Sequence, residues 1–109
     1  MSEETPDLDA LQSLGEIDKL VHEPARLQIL AALSVVESAD FVFLMRQTGL
    51  TWGNLSSHMS KLEEAGYVEV EKEFVDKKPR TMLHLTETGR QAFDNYRRRM
   101  QQVLGSLSG

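Results

Sequence analysis

The stretch GLTWGNLSSHMSKLEEAGYVEV, residues 49–70, reads as a tight turn, a helix, a stop and the opening of a strand. Gly49 can take the left-handed conformation that ends a preceding helix, and Thr51 is a good N-cap for the next one. Leu55, Met59 and Leu62 recur at spacings of four and three, so one stripe of a helix over residues 51–65 faces a core. Glu63 and Glu64 fall in the last turn, where the helix dipole does not favour them, and Gly66 supplies the stop. The opposite face carries Asn54, Ser57 and Lys61, flanked by Ser56, His58 and Ser60. Short hydrogen-bonding side chains leave such a face slim enough to enter a DNA major groove and reach base edges. The same stretch also describes an ordinary amphipathic surface helix, so its surroundings decide.

Upstream, residues 1–7 are acidic, contain Pro6 and have nothing to pack, which predicts a frayed N-terminus. Leu11, Leu14, Ile17, Leu20 and Val21 predict a helix over residues 8–21, weakened by Gly15 and broken at His22-Glu23-Pro24. A second helix over residues 24–35 has too many apolar positions for one stripe, so it is expected to be the most buried. Asp40 can cap, and Gly49 end, a short helix over residues 40–48 with Phe41, Leu44 and Met45 inward. Two helices joined by a short Gly-containing turn make a helix-turn-helix. After Gly66 the period becomes two. Residues 67–74 alternate apolar and polar, residues 76–80 form a charged tip, and residues 81–85 return as a second strand. Thr86 then caps a long final helix with Glu87 in its first turn.

The chain has 109 residues, enough for one domain, and we read residues 8–109 as that single domain. It has no cysteine, which excludes a disulfide scaffold, a thiol nucleophile and any cysteine-based metal site. No apolar run approaches the roughly 20 residues that span a membrane, so a cytoplasmic protein with no membrane partner is expected. The net charge of −5 is concentrated at the start, where residues 1–23 hold seven acids and one lysine. The remainder is close to neutral, with basic groups clustered at Lys77, Lys78 and Arg80 and at Arg97, Arg98 and Arg99. Contact with a polyanion is therefore electrostatically open to it.

The order helix, helix, helix-turn-helix, hairpin, helix is that of a winged-helix domain: mainly α with a small β-hairpin wing (α+β) and long terminal helices. The segments LVHEPARLQILAAL, GLTWGNLSSHMSKLEEAGYVEVEK, FVDKKPRT and LHLTETGRQAF resemble the small winged-helix transcriptional regulators of the MarR/ArsR kind. The likeness is greatest to the compact prokaryotic subgroup whose recognition helix begins T-x-G-N-L-S, and it covers about residues 17–95. It implies a transcriptional regulator, with a repressor expected, that binds double-stranded DNA through Trp52, Gly53, Asn54, Ser56, Ser57, His58 and Lys61. The wing residues Lys77, Lys78 and Arg80 are expected on the backbone or minor groove. Trp52 departs from the pattern, since a small polar or acidic residue is expected there. The competing reading is a winged helix that docks proteins instead, which an apolar patch around Trp52 would favour.

Phe93, Tyr96, Met100, Val103 and Leu107 are spaced three, four, three, four, a heptad seam on the final helix. A winged-helix core is expected to end near Phe93, which leaves the rest of the seam to a partner. With Leu11 and Leu14 of the N-terminal helix it predicts a twofold homodimer over residues 8–21 and 86–107, matching a palindromic operator. An intramolecular lid is the alternative. No metal site is expected from His22, His58 and His84, because no two share a helical face at i, i+4. Ser57-His58 is a neighbour pair, not a triad, and no phosphate loop or carboxylate pair suggests an enzyme or a cofactor. Operator, regulated genes and any small-molecule effector are not written in the sequence.

Overall fold

Glu23, Asp40, Thr51 and Thr86 each precede a helix, and each aims a side-chain oxygen at a backbone N–H of the first turn. The structure, a computed structural model, describes residues 18–107. It contains α1 (Pro24–Ser34), β1 (Ala39–Asp40), α2 (Phe41–Thr48), α3 (Trp52–Glu64), β2 (Val68–Val75), β3 (Lys78–Leu85) and α4 (Glu87–Leu107). This is the winged helix-turn-helix expected from the sequence, with α2 and α3 as the helix-turn-helix and β2–β3 as the wing. The residue range 1–7, Leu11, Leu14 and most of the helix expected over residues 8–21 lie outside the described residues.

Three local expectations change. The first helix does not continue through Leu20 and Val21, because the Asp18 carboxylate accepts from both their backbone N–H groups and folds them into a turn. The sheet has three strands in the order β1-β3-β2, not two: Ala39 and Asp40 pair antiparallel with Leu83 and Met82. The wing tip is shorter than residues 76–80. Val75 pairs with Lys78 and Phe74 with Pro79, so only Asp76 and Lys77 turn the chain. Both have positive φ, 53° and 66°, the mirror-image turn whose twist matches that of the strands. Pro79 faces Phe74 in the second pair from the turn, a non-hydrogen-bonded pair that uses no ladder N–H toward β2, and β1 does not reach it on the other side.

Ile29, Leu30 and Leu33 of α1 are fully buried at the centre, surrounded by Leu44 of α2, Leu55, Met59 and Leu62 of α3, and Val68, Leu83 and Leu85 of the sheet. Near the base of the wing, Val68 and Val70 of β2 and Leu83 and Leu85 of β3 point to this core, while Glu69 and Glu71 point away. The start of α4 lies against the link between α3 and β2. A Cβ on Gly89 would come within 2.0 Å of the Tyr67 carbonyl oxygen, so only glycine lets α4 approach there. Thr86 locks the same junction, its hydroxyl donating to the Gly66 carbonyl while its backbone N–H donates to that of Tyr67.

Further along α4, Tyr96 is buried in the main core, and its hydroxyl lies 2.8 Å from His22 Nδ1. The core therefore runs past Phe93 and takes in Tyr96, with Met100 partly covered against it. The expectation that Tyr96 lies beyond the core is corrected: heptad spacing gives a shared helix face and says nothing of what covers it.

Candidate nucleic-acid interface

Burial of Leu55, Met59 and Leu62 turns Gly53, Ser57, Ser60 and Lys61 outward on α3, and all four are exposed. Beyond Trp52 the outer surface of the helix is thus narrow through Ser57, with one cation, Lys61, further along. Nothing lies within 4 Å of a Cβ built on Gly53, so its backbone is open to whatever approaches. Asn54 is exposed, its backbone N–H held by the Thr51 hydroxyl at 3.2 Å. Ser56 is half-buried on the flank, and its carbonyl accepts from Ser60.

The two flanks of α3 are tied down differently. On one, half-buried His58 has its Nδ1 3.2 Å from Arg26 Nη1 and 3.5 Å from Glu23 Oε2. Burial would raise the Glu23 carboxyl. The backbone N–H groups of Arg26 and Ala25, with the charges of His58 and Arg26, outweigh it and hold the group below the usual range. His58 thus braces α3 against the start of α1 and is not placed among the outward residues with Ser57 and Lys61. On the other flank Trp52 packs its indole on Phe41 of α2, ring centroids 4.5 Å apart, and remains 58% exposed.

Lys77 and Lys78 at the wing tip are exposed, whereas Arg80 donates to Asp40 Oδ2 at 2.8 Å. The same Asp40 caps α2, accepting from the Phe43 N–H at 2.8 Å. That N–H first, and Arg80 second, hold the Asp40 carboxyl below its ordinary value, and the guanidinium is pushed up in return. One carboxylate therefore anchors the wing to the helix-turn-helix. Sequence spacing assigned Arg80 to the tip and missed this link.

Two further features escaped sequence reasoning. Glu69, Glu71 and His84 bring their ligand atoms within 4.8 Å of one another on the solvent side of the sheet. His84 Nε2 lies 3.2 Å from Glu69 Oε2, as their direct pairing in the ladder dictates. Helical spacing brings no two histidines together, whereas strand register sets His84 beside the two glutamates. A cavity of about 320 Å³ lies between Tyr67 and α4, lined in part by Asp18, Gln91, Asn95 and Arg99. Tyr67 donates to Asp18 at 2.6 Å, and this bond, with burial, pushes its phenol up to about 12.

The winged helix DNA-binding domain family matches residues 25–104. The chain belongs to this family. An uncharacterized protein of Methanocaldococcus jannaschii is 40% identical over 78 residues, 72% of this chain and 85% of that protein. The solved structure of a transcriptional regulator homologue from Pyrococcus horikoshii has a TM-score of 0.83 at 31% identity, covering 88% of this chain and 97% of that one. A MarR-family regulator from Silicibacter pomeroyi shares the fold at a TM-score of 0.64 and 22% identity, over 87% of this chain and 63% of that one. This winged-helix protein is a DNA-binding transcriptional regulator, and MarR-family regulators share its fold. No helix among its described residues is long and apolar enough to cross a membrane.

Replacing Asp40 with alanine removes the α2 cap and the Arg80 partner together, at an expected cost of about 1–2 kcal/mol by urea denaturation at neutral pH. Since folding lowers the Asp40 pKa, its contribution is full above the ordinary value of 3.8 and is lost as pH falls through the folded value. The gap between wild type and Asp40→Ala should accordingly narrow toward pH 3; a gap that is constant with pH would exclude this role.

Proposed function

We propose that this regulator is a sequence-specific repressor that binds double-stranded DNA as a homodimer on a palindromic operator in the cytoplasm. The observation that carries the reading is the outward face of α3. It combines a slim N-terminal half at Gly53, Asn54 and Ser57 with the cation Lys61, and it stands beside a wing bearing the exposed Lys77 and Lys78. Asn54 and Ser57 are suited to base edges, since an asparagine amide can pair bidentately with adenine. Lys61, Lys77 and Lys78 are suited to phosphates, which position the protein without reading sequence. Ser56 is a lesser phosphate candidate, and the contributions of His58 and Arg80 are indirect, through their bonds to α1 and to Asp40. Repression follows from occupancy: a protein seated on an operator competes for that DNA, and no catalysis is involved.

The dimer reading is supported by an apolar groove of about 260 Å³ between α1 and α4, bordered by Leu27, Ala31, Phe93, Met100 and Leu104. Leu104 is 56% and Leu107 48% exposed, whereas Val103 and Tyr96 of the heptad seam are buried within the chain. The proposed interface therefore uses Phe93, Met100, Leu104 and Leu107 more than the seam as spaced in sequence. A twofold pair buries each of these side chains twice.

Two experiments test the reading. On duplexes enriched by the protein from a random library, Asn54→Ala should cost about 1–3 kcal/mol and relax preference at one base pair. Lys61→Ala should instead weaken all duplexes alike and reduce the salt slope of log affinity by about 0.9. Equal losses on enriched and random DNA for both variants would remove Asn54 as a base reader. In sedimentation, the wild type should be a dimer at micromolar concentration and Leu104→Glu a folded monomer, because the substitution places two charges at a shared apolar contact. A monomeric wild type, or a dimeric Leu104→Glu, contradicts the interface.

A further inference from the structure

Trp52 is the first residue of the helix read above as entering the groove, and it is the one bulky side chain on its exposed surface. It lines a cleft of about 220 Å³ with Phe41, Val42 and Pro79, between the helix-turn-helix and the wing. Val42 is 56% exposed, so the cleft presents apolar surface to solvent on both sides of the Phe41–Trp52 pair. The two charged residues that also line it are already engaged: Asp40 Oδ2 with Arg80 at 2.8 Å and Asp40 Oδ1 with the Phe43 N–H at 2.8 Å. Thr81 adds one hydroxyl to the lining, and the rest of what the cleft offers is apolar contact.

The N-terminal residues of a recognition helix are those that meet base edges. On the major-groove edges of the four bases only one group is apolar, the C5-methyl of thymine. Cytosine in the same position carries only a hydrogen at C5 and fills no apolar cleft, and its neighbouring N4 amino group would lose its water there and gain no partner. We propose that Trp52, seated on Phe41 beside Val42 and Pro79, is a receptor for the 5-methyl group of one thymine in each half-site. The inference rests on the reading of α3 as the DNA-contacting helix and adds a specificity element to it. Indole packing on Phe41 fixes the ring before DNA arrives, so little side-chain freedom remains to be lost on binding.

The test uses the full chain and duplexes it enriches from a random library. Each thymine is replaced in turn by deoxyuridine, which removes the methyl group and leaves base pairing intact. At one position per half-site the wild type should lose affinity about fourfold, the value of one buried methyl group. Trp52→Ala should bind the thymine duplex more weakly and show no uracil penalty at that position; Val42→Ala, a smaller change, should reduce the penalty. No uracil penalty at any position for the wild type, or an unchanged penalty in Trp52→Ala, overturns the proposal. Trp52→Ala binding the thymine duplex as tightly as the wild type also overturns it, and leaves the cleft as a docking site for protein. If no duplex is enriched at all, the reading of α3 falls first and the methyl receptor with it.

Discussion

Everything placed on the outer surface depends on the burial of Leu55, Met59 and Leu62. Each is at most 3% exposed, packed where α3 meets α1, α2 and the base of β2. At roughly 1.5–3 kcal/mol for each side chain buried, the stripe fixes the rotation of α3 about its axis. One residue of rotation, 100°, would expose Leu62 and bury polar neighbours without partners. Because that alternative is so costly, Gly53, Ser57 and Lys61 have one place to point, and the surface they form is a consequence of the core.

Around this helix the fold adds braces at each flank. Glu23 and Arg26 hold His58 from the start of α1, while Phe41 holds Trp52 from the start of α2. Asp40 joins the wing to the helix-turn-helix through Arg80, so the wing lysines and α3 are presented as one surface. The contact between Gly89 and Tyr67 seats α4 at the far end of the same unit. A regulator reading DNA with both a helix and a wing needs those two parts held in fixed relation, since misplaced contacts are lost ones.

The features legible in the sequence were those that local chemistry decides. Gly49 at φ 73° and Gly66 at φ 81° end helices where sequence placed the stops, and Asp40, Thr51 and Thr86 cap where expected. The features missed depend on partners distant in the chain. Two residues cannot announce a strand, and Ala39 and Asp40 become one only because Leu83 and Met82 lie opposite. The bonds of His58 to Glu23 and Arg26 join residues more than 30 positions apart, so spacing along the helix does not show them. Lys77 in a left-handed conformation is not a turn signal, so the tip was drawn too long. The heptad seam named Val103 and passed over Leu104, although Leu104 is the exposed one.

The central claim is that paired copies of α3 lie in successive major grooves with the wings beside them. Dimethyl sulfate protection on an enriched duplex tests it directly, because the reagent marks guanine N7 in the major groove and adenine N3 in the minor groove. The account predicts two clusters of N7 protection about ten base pairs apart, with N3 changes confined to positions flanking each cluster. A single cluster, or protection at N3 alone, would contradict it.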